Sequence, residues 1–259
     1  MQSTMLQLPT PGPAIRGLII ANFVAYIAFL IALRVLGDGV LGALALTPAA
    51  FFSGAVWQPF TSLFIHSPSS VGHLLSNMLW LWLFASEVEA VRGPRFTLTV
   101  YFVGGLAGAA LTLILGLVSQ SLGPTGALAS AWLSPTLGAS GAVMALTACW
   151  GGMFWNQVRS FLFLGPMRIR TFMFILIAIE MLVALSYESV SSTSHFAGLA
   201  VGLAYGHGFL GSGWLSNLRM RLGRERRRRE TEEALGRFKV LPGGRDRRPG
   251  RNQDDEWIN

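Results

Sequence analysis

The chain is short of charge and of cysteine, and each shortage excludes something. Of its 259 residues only 13% are charged while 52% are hydrophobic, with a mean hydropathy of +0.49. Soluble domains carry about 25% charged residues, so an ordinary soluble domain is excluded. The single cysteine, Cys149, rules out an internal disulfide framework and leaves no basis for a cysteine-based metal cluster. It lies between Ala148 and Trp150 in an apolar run, where inert packing is its expected role. No cleavable leader is expected. The first apolar run, Gly17 to Leu36, is longer than a leader's core and carries Arg34 near its end, so it reads as a retained span.

What is present is a set of nearly uncharged runs close to the length a helix needs to cross a bilayer. Six spans are expected, at roughly 17–36, 73–91, 96–118, 137–157, 170–187 and 194–212. Residues 1–16 would precede them, 17–212 would form the membrane core, and 213–259 would be a basic, disordered tail, helical at most around Glu225 to Phe238. Of 20 basic residues, 13 lie at or after Arg219. A basic run directly after a span is explained by retention near anionic lipid headgroups, so lipid and not nucleic acid is the expected partner.

The loops differ in charge. The first, 37–72, carries Asp38 and no basic residue, and its stretch "LGALALTPAAFFSGAVWQPFTSLFIH" suits short interfacial helices. Loop 119–136 is uncharged and loop 188–193 carries only Glu188, whereas Arg92, Arg95, Arg159, Arg168 and Arg170 fall in the alternate loops. The positive-inside rule then places both termini in the cytoplasm, as in a multi-pass protein of a bacterial inner membrane. Spans two, four and six would all enter from the outer side.

The first turns of those three spans read "GHLLSNM", "LGASGA" and "TSHFAG". They put His73, Asn77, Ser140 and His195 in one layer, although such groups are costly in lipid and face a wet cavity when present. Serine needs a neighbouring base to become a nucleophile, and His195 is the candidate. His73 and Asn77, at i and i+4 on one helix face, can donate to a developing oxyanion together with the backbone N–H of Ser140. Gly138 and Gly141 would keep the approach to Ser140 open. No carboxylate reads as placed to orient His195. Glu180 lies about two-thirds along span five and Glu188 follows in a loop, so a Ser–His dyad is expected and Glu180 is left open between a hydrogen-bonded group and a water path.

On these residues the chain resembles the rhomboid intramembrane serine proteases over about 57–212. "GASG" at 138–141 is similar to the family's G-x-S-G motif, and "HLLSN" at 73–77 to its H-x-x-x-N motif. "SHFAGLAVG" at 194–202 is similar to its histidine followed by G-x-x-x-G, here Gly198 and Gly202. "EVEAVRGPRF" followed by Tyr101 resembles its stretch between spans two and three. The resemblance implies an all-α, six-helix membrane bundle that hydrolyses peptide bonds in or near transmembrane segments of protein substrates. It would do so through an acyl-enzyme, with no metal or organic cofactor. It implies Ser140 as nucleophile, His195 as base, and His73 with Asn77 on the oxyanion.

Two departures stand out. Met144 falls where many members have an aromatic ring against the histidine, and His66, seven residues before His73, has no assigned role. The other features have plainer readings. Gly198 and Gly202 are expected to serve helix packing alone, His207 to be structural, and Trp80, Trp82, Trp150 and Trp155 to be packing or interfacial aromatics. Two other functions compete: a catalytically inactive rhomboid-like protein that binds membrane clients, and a small transporter relaying protons through Glu180 and the histidines. The sequence leaves substrate and oligomeric state open.

Overall fold

Proline and glycine set where the helices begin and end. The structure, a computed structural model, describes residues 9–122, 130–161, 165–186 and 190–210. Helix α1 (Pro13–Leu36) starts with a proline, which has no N–H to leave unpaired. The N–H groups of Ala14 and Ile15 donate to the Glu89 carboxylate at 2.8 and 2.9 Å. Gly37, at φ +81°, closes the helix by donating to the Leu33 carbonyl. Three short helices follow in the first loop: α2 (Gly39–Leu44), α3 (Pro48–Phe52) and α4 (Gln58–Thr61). Phe52, Val56, Trp57 and Phe60 beside them are exposed, as the expected interfacial stretch requires.

A second long rod, Val71–Arg92, consists of α5 (Val71–Trp80), a π-helical turn (Leu81–Ala85) and α6 (Ser86–Arg92). Gly93, at φ +81°, ends it, and Pro94 at once opens α7 (Pro94–Leu122). Then come α8 (Ser140–Met153), an antiparallel pair of strands β1 (Val158–Phe161) and β2 (Gly165–Arg168), α9 (Ile169–Ser186) and α10 (Val190–Gly206). The protein is therefore mostly helical, as the expected all-α class requires, with one short addition the sequence did not suggest: the β1–β2 pair, in which Val158 faces Arg168 and Phe161 faces Gly165. The β-branched and aromatic residues Val158 and Phe161 favour extended backbone here.

Among the described residues, three helices are long and apolar enough to cross a membrane: Pro13–Leu36, Val71–Arg92 and Pro94–Ser121. Helices α8, α9 and α10 stand where spans four to six were expected and have 14, 18 and 17 residues. The expected start of span four at 137 is corrected to Ser140. The preceding residues cannot be helical, because Thr136 exchanges backbone hydrogen bonds with Leu46 at 2.8 and 2.9 Å and Gly138 has φ +112°. Residues up to Ser212 form one compact unit. The expected tail 213–259, like Glu188 and residues 123–129, lies outside the described residues.

Helices α7, α8 and α10 make the centre, and small residues let them do so. A side chain on Gly198, Gly202 or Gly206 would strike the carbonyl oxygen of Gly141, Ala145 or Cys149 respectively. One glycine face of α10 thus steps turn by turn along α8. From α7, Gly104 abuts the Ala145 methyl and Gly105 lies against Leu63 and Ala142. Nearly every residue of α8 is buried, Cys149 included. A helix of 14 residues is about 21 Å long, short of the roughly 30 Å hydrocarbon core, which is tolerable for a helix enclosed by protein.

Candidate active site

Ser140 is the first residue of α8, and the segment leading into it is fixed from outside. The Gly138 N–H donates to the Ser62 carbonyl at 2.8 Å, and the Ala139 N–H donates over a long 3.5 Å to Nε2 of His66. His66 is fully buried in the first loop, its ring 5.2 Å from that of His73 and edge-on to Tyr26 at 6.4 Å. Burial, and next the neighbouring His73 imidazole, lowers the pKa of His66 to about 4. It is therefore a neutral ring able to accept at Nε2. His66, unassigned from the sequence, holds the peptide just before Ser140. Helix α8 starts at the serine itself. That placement leaves the N–H groups of the first helical turn without intrahelical acceptors, around the serine and at the positive end of the helix dipole.

His73 stands in the first turn of α5. Its Nδ1 accepts from the Ser67 N–H at 3.3 Å, which makes Nε2 the protonated nitrogen. The Nε2 edge lies against Gly138, where a β-carbon would come within 2.9 Å of it. Asn77, one turn later and only 6% exposed, donates its amide to the His73 carbonyl at 2.8 Å. Gly141 faces Ser194, with space for a β-carbon closed by the Ser194 carbonyl at 3.1 Å.

His73, Asn77, Ser140 and His195, drawn from α5, α8 and α10, line one open pocket of about 190 Å³ together with Met144. The layer read from three separate first turns is thus a single cavity, with room for several waters. Its remaining wall is Ser76 and Val143, which the sequence did not single out, and Trp80, which it gave only as a packing or interfacial aromatic. Ser76 and Trp80 lie three and seven residues after His73, so helical periodicity alone could have found them. His207 packs edge-on to Trp155 at 5.2 Å and does not line the pocket. Trp82 and Trp150 donate to the Pro9 carbonyl and the Glu87 carboxylate, in line with packing roles.

The expectation that no carboxylate orients His195 is overturned. Glu180 Oε2 lies 2.8 Å from His195 Nδ1, with the two side chains 11% and 20% exposed. The signal was present: Glu180 precedes the end of α9 by about as many residues as His195 follows the start of α10, so both sit at one depth on consecutive antiparallel helices. Among the described residues, no group of three His, Cys, Asp or Glu side chains is arranged to hold a metal ion.

Helices fit to cross a membrane, and a serine and two histidines around one pocket, define a helical membrane protein with a serine–histidine site. A family model for the Rhomboid domain matches residues 53–212, more than half of the chain, and the chain belongs to that family. RHOMBOID-like protein 12, mitochondrial, from Arabidopsis thaliana is 36% identical over 99 residues, covering 37% of this chain and 29% of that protein. Rhomboid-like protein 16, chloroplastic, from the same plant is 30% identical over 140 residues, covering 51% of this chain and 41% of its own length. The matches span less than half of either relative.

Proposed function

We propose that the protein is an intramembrane serine protease that hydrolyses peptide bonds in or near transmembrane segments of membrane-protein substrates. The observation that carries this reading is the meeting of Ser140 and His195, from α8 and α10, in one pocket. With Nδ1 of His195 engaged by Glu180, Nε2 is the nitrogen left to take the Ser140 proton. The Ser140 oxygen attacks the scissile carbonyl, and the carbonyl's electron pair moves onto its oxygen. Nε2–H of His73, the first-turn N–H groups of α8 and the remaining amide hydrogen of Asn77 are the donors for that oxyanion. Collapse expels the amine, which takes its proton from His195 and leaves an acyl-serine. Water from the pocket, deprotonated by the same imidazole, then releases the acid.

A helical peptide bond is shielded by its own hydrogen bonds, so the substrate must unwind locally before attack. Six membrane spans, with both termini on the cytoplasmic side of a bacterial-type inner membrane and the pocket open to the far side, complete the reading. The loop arginines support that orientation.

The test uses a reporter with one transmembrane segment rich in small, helix-destabilising residues, reconstituted with the full-length protein in vesicles. Cleavage that disappears in both Ser140→Ala and His195→Ala supports the proposal. Cleavage that survives in either removes it. A client-binding protein would retain the reporter without cutting it.

A further inference from the structure

Helix α9 is held very differently along its length. In its first half Ile169, Phe172, Met173 and Leu176 are buried, and Phe172 stacks on Phe84 and Phe161 at 5.5 and 4.6 Å. Beyond Ile177, which still packs against the core, most apolar side chains turn outward. Ile179, Met181, Val183 and Leu185 are exposed, Leu185 at 81%. Among the described residues from Ile177 to Leu185, only Glu180 is buried, and its carboxylate meets His195 Nδ1 on α10. A carboxylate on a lipid-facing helix is costly unless paired, and parting the pair leaves a charge stranded in an apolar setting. The contact therefore ties this half of α9 to α10.

The same contact acts on the imidazole. A carboxylate on Nδ1 fixes the ring's rotation and holds the proton on that nitrogen, leaving Nε2 free. We infer that Glu180 is a positioning residue that couples two events: seating of the outer half of α9 against α10, and orientation of His195 as base. Displacing this half of α9 from α10 removes the carboxylate from the base. The site regains its orientation when the helix reseats. This inference rests on the Ser140–His195 reading for its catalytic consequence but not for its structural one.

The experiment compares wild type with Glu180→Ala and Glu180→Asp, full-length in lipid nanodiscs. It reads hydrogen exchange over 177–185, the ¹⁵N shifts of His195 and the rate of fluorophosphonate labelling. In Glu180→Ala, exchange over 177–185 rises about tenfold while the first half of α9 is unchanged, and the His195 ¹⁵N shifts move from a single Nδ1–H tautomer to a mixture. Labelling slows by about tenfold or more, and Glu180→Asp recovers part of each effect. Wild-type exchange in Glu180→Ala overturns the inference, and so does faster exchange with an unchanged His195 tautomer. If wild type does not label at all, the protease reading fails by itself, and the exchange and tautomer measurements still decide the coupling.

Discussion

Gly138 and His73 stand in direct contact: a β-carbon on the glycine would lie 2.8 Å from Cε1 and 2.9 Å from Nε2 of the imidazole. The glycine also has φ +112°, a conformation that side-chain-bearing residues rarely adopt. Gly138→Ala is therefore penalised twice, by strain and by collision with the proposed oxyanion donor. The expected outcome is a loss of about 1–3 kcal/mol in stability, with labelling and cleavage falling by more than the unfolded fraction explains. Equilibrium unfolding in mixed micelles beside activity on the folded fraction measures both. Wild-type values for both would show that the contact does not matter.

His73 and Asn77 should not be equal partners. Nε2–H of His73 faces Gly138, whereas Asn77 already spends one amide hydrogen on its own helix at the His73 carbonyl. Loss of a well-placed oxyanion donor costs on the order of 10²–10³ in turnover. His73→Ala is expected in that range and Asn77→Ala below it, with KM less affected than kcat in both. A larger loss in Asn77→Ala would reverse the assignment.

Much of this was legible in the sequence, and the rest was hidden for physical reasons. His73, Asn77, Ser140 and His195 were readable because polar groups in apolar helices have few bland uses, and their depths could be counted from helix starts. Gly198 and Gly202 were readable as packing, although Gly206 continues the same face onto Cys149. Glu180 reads as unplaced because it sits on a different helix, yet consecutive antiparallel helices bring equal depths together. The start of α8 at Ser140 escaped because small apolar residues on either side of it look alike. The pairing of Thr136 with Leu46, the bond from Gly138 to Ser62 and the positive φ of Gly138 forbid an earlier start. The β1–β2 pair spans too few residues to show a periodicity.

The glycine face of α10 makes a packing prediction. A leucine at Gly202 would have to displace the Ala145 carbonyl and the Ala148 methyl, both fixed in the buried α8. Gly202→Leu is expected to cost about 1–3 kcal/mol or more, while Val103→Leu on the exposed side of α7 changes little. Comparable midpoints for the two variants would argue against close α8–α10 packing.

His66, in the first loop and outside the membrane-crossing segments, ties stability to pH. Its folded pKa of about 4 lies below its ordinary value of 6.5, so the unfolded chain takes up the proton first as pH falls. The stabilisation is fully present above pH 6.5 and is lost progressively toward pH 4, by up to about 3 kcal/mol. His66→Gln keeps an acceptor near the Ala139 N–H and should flatten this part of the profile. An equal slope in that variant would assign the acid sensitivity to other groups.

The most direct measurement is site-mapped labelling by a fluorophosphonate probe on the full-length protein in vesicles. Modification should map to Ser140 in wild type, vanish in Ser140→Ala and fall by at least about 10² in His195→Ala. Labelling that persists unchanged in Ser140→Ala, or proceeds at wild-type rate without His195, would contradict a serine nucleophile activated by that histidine.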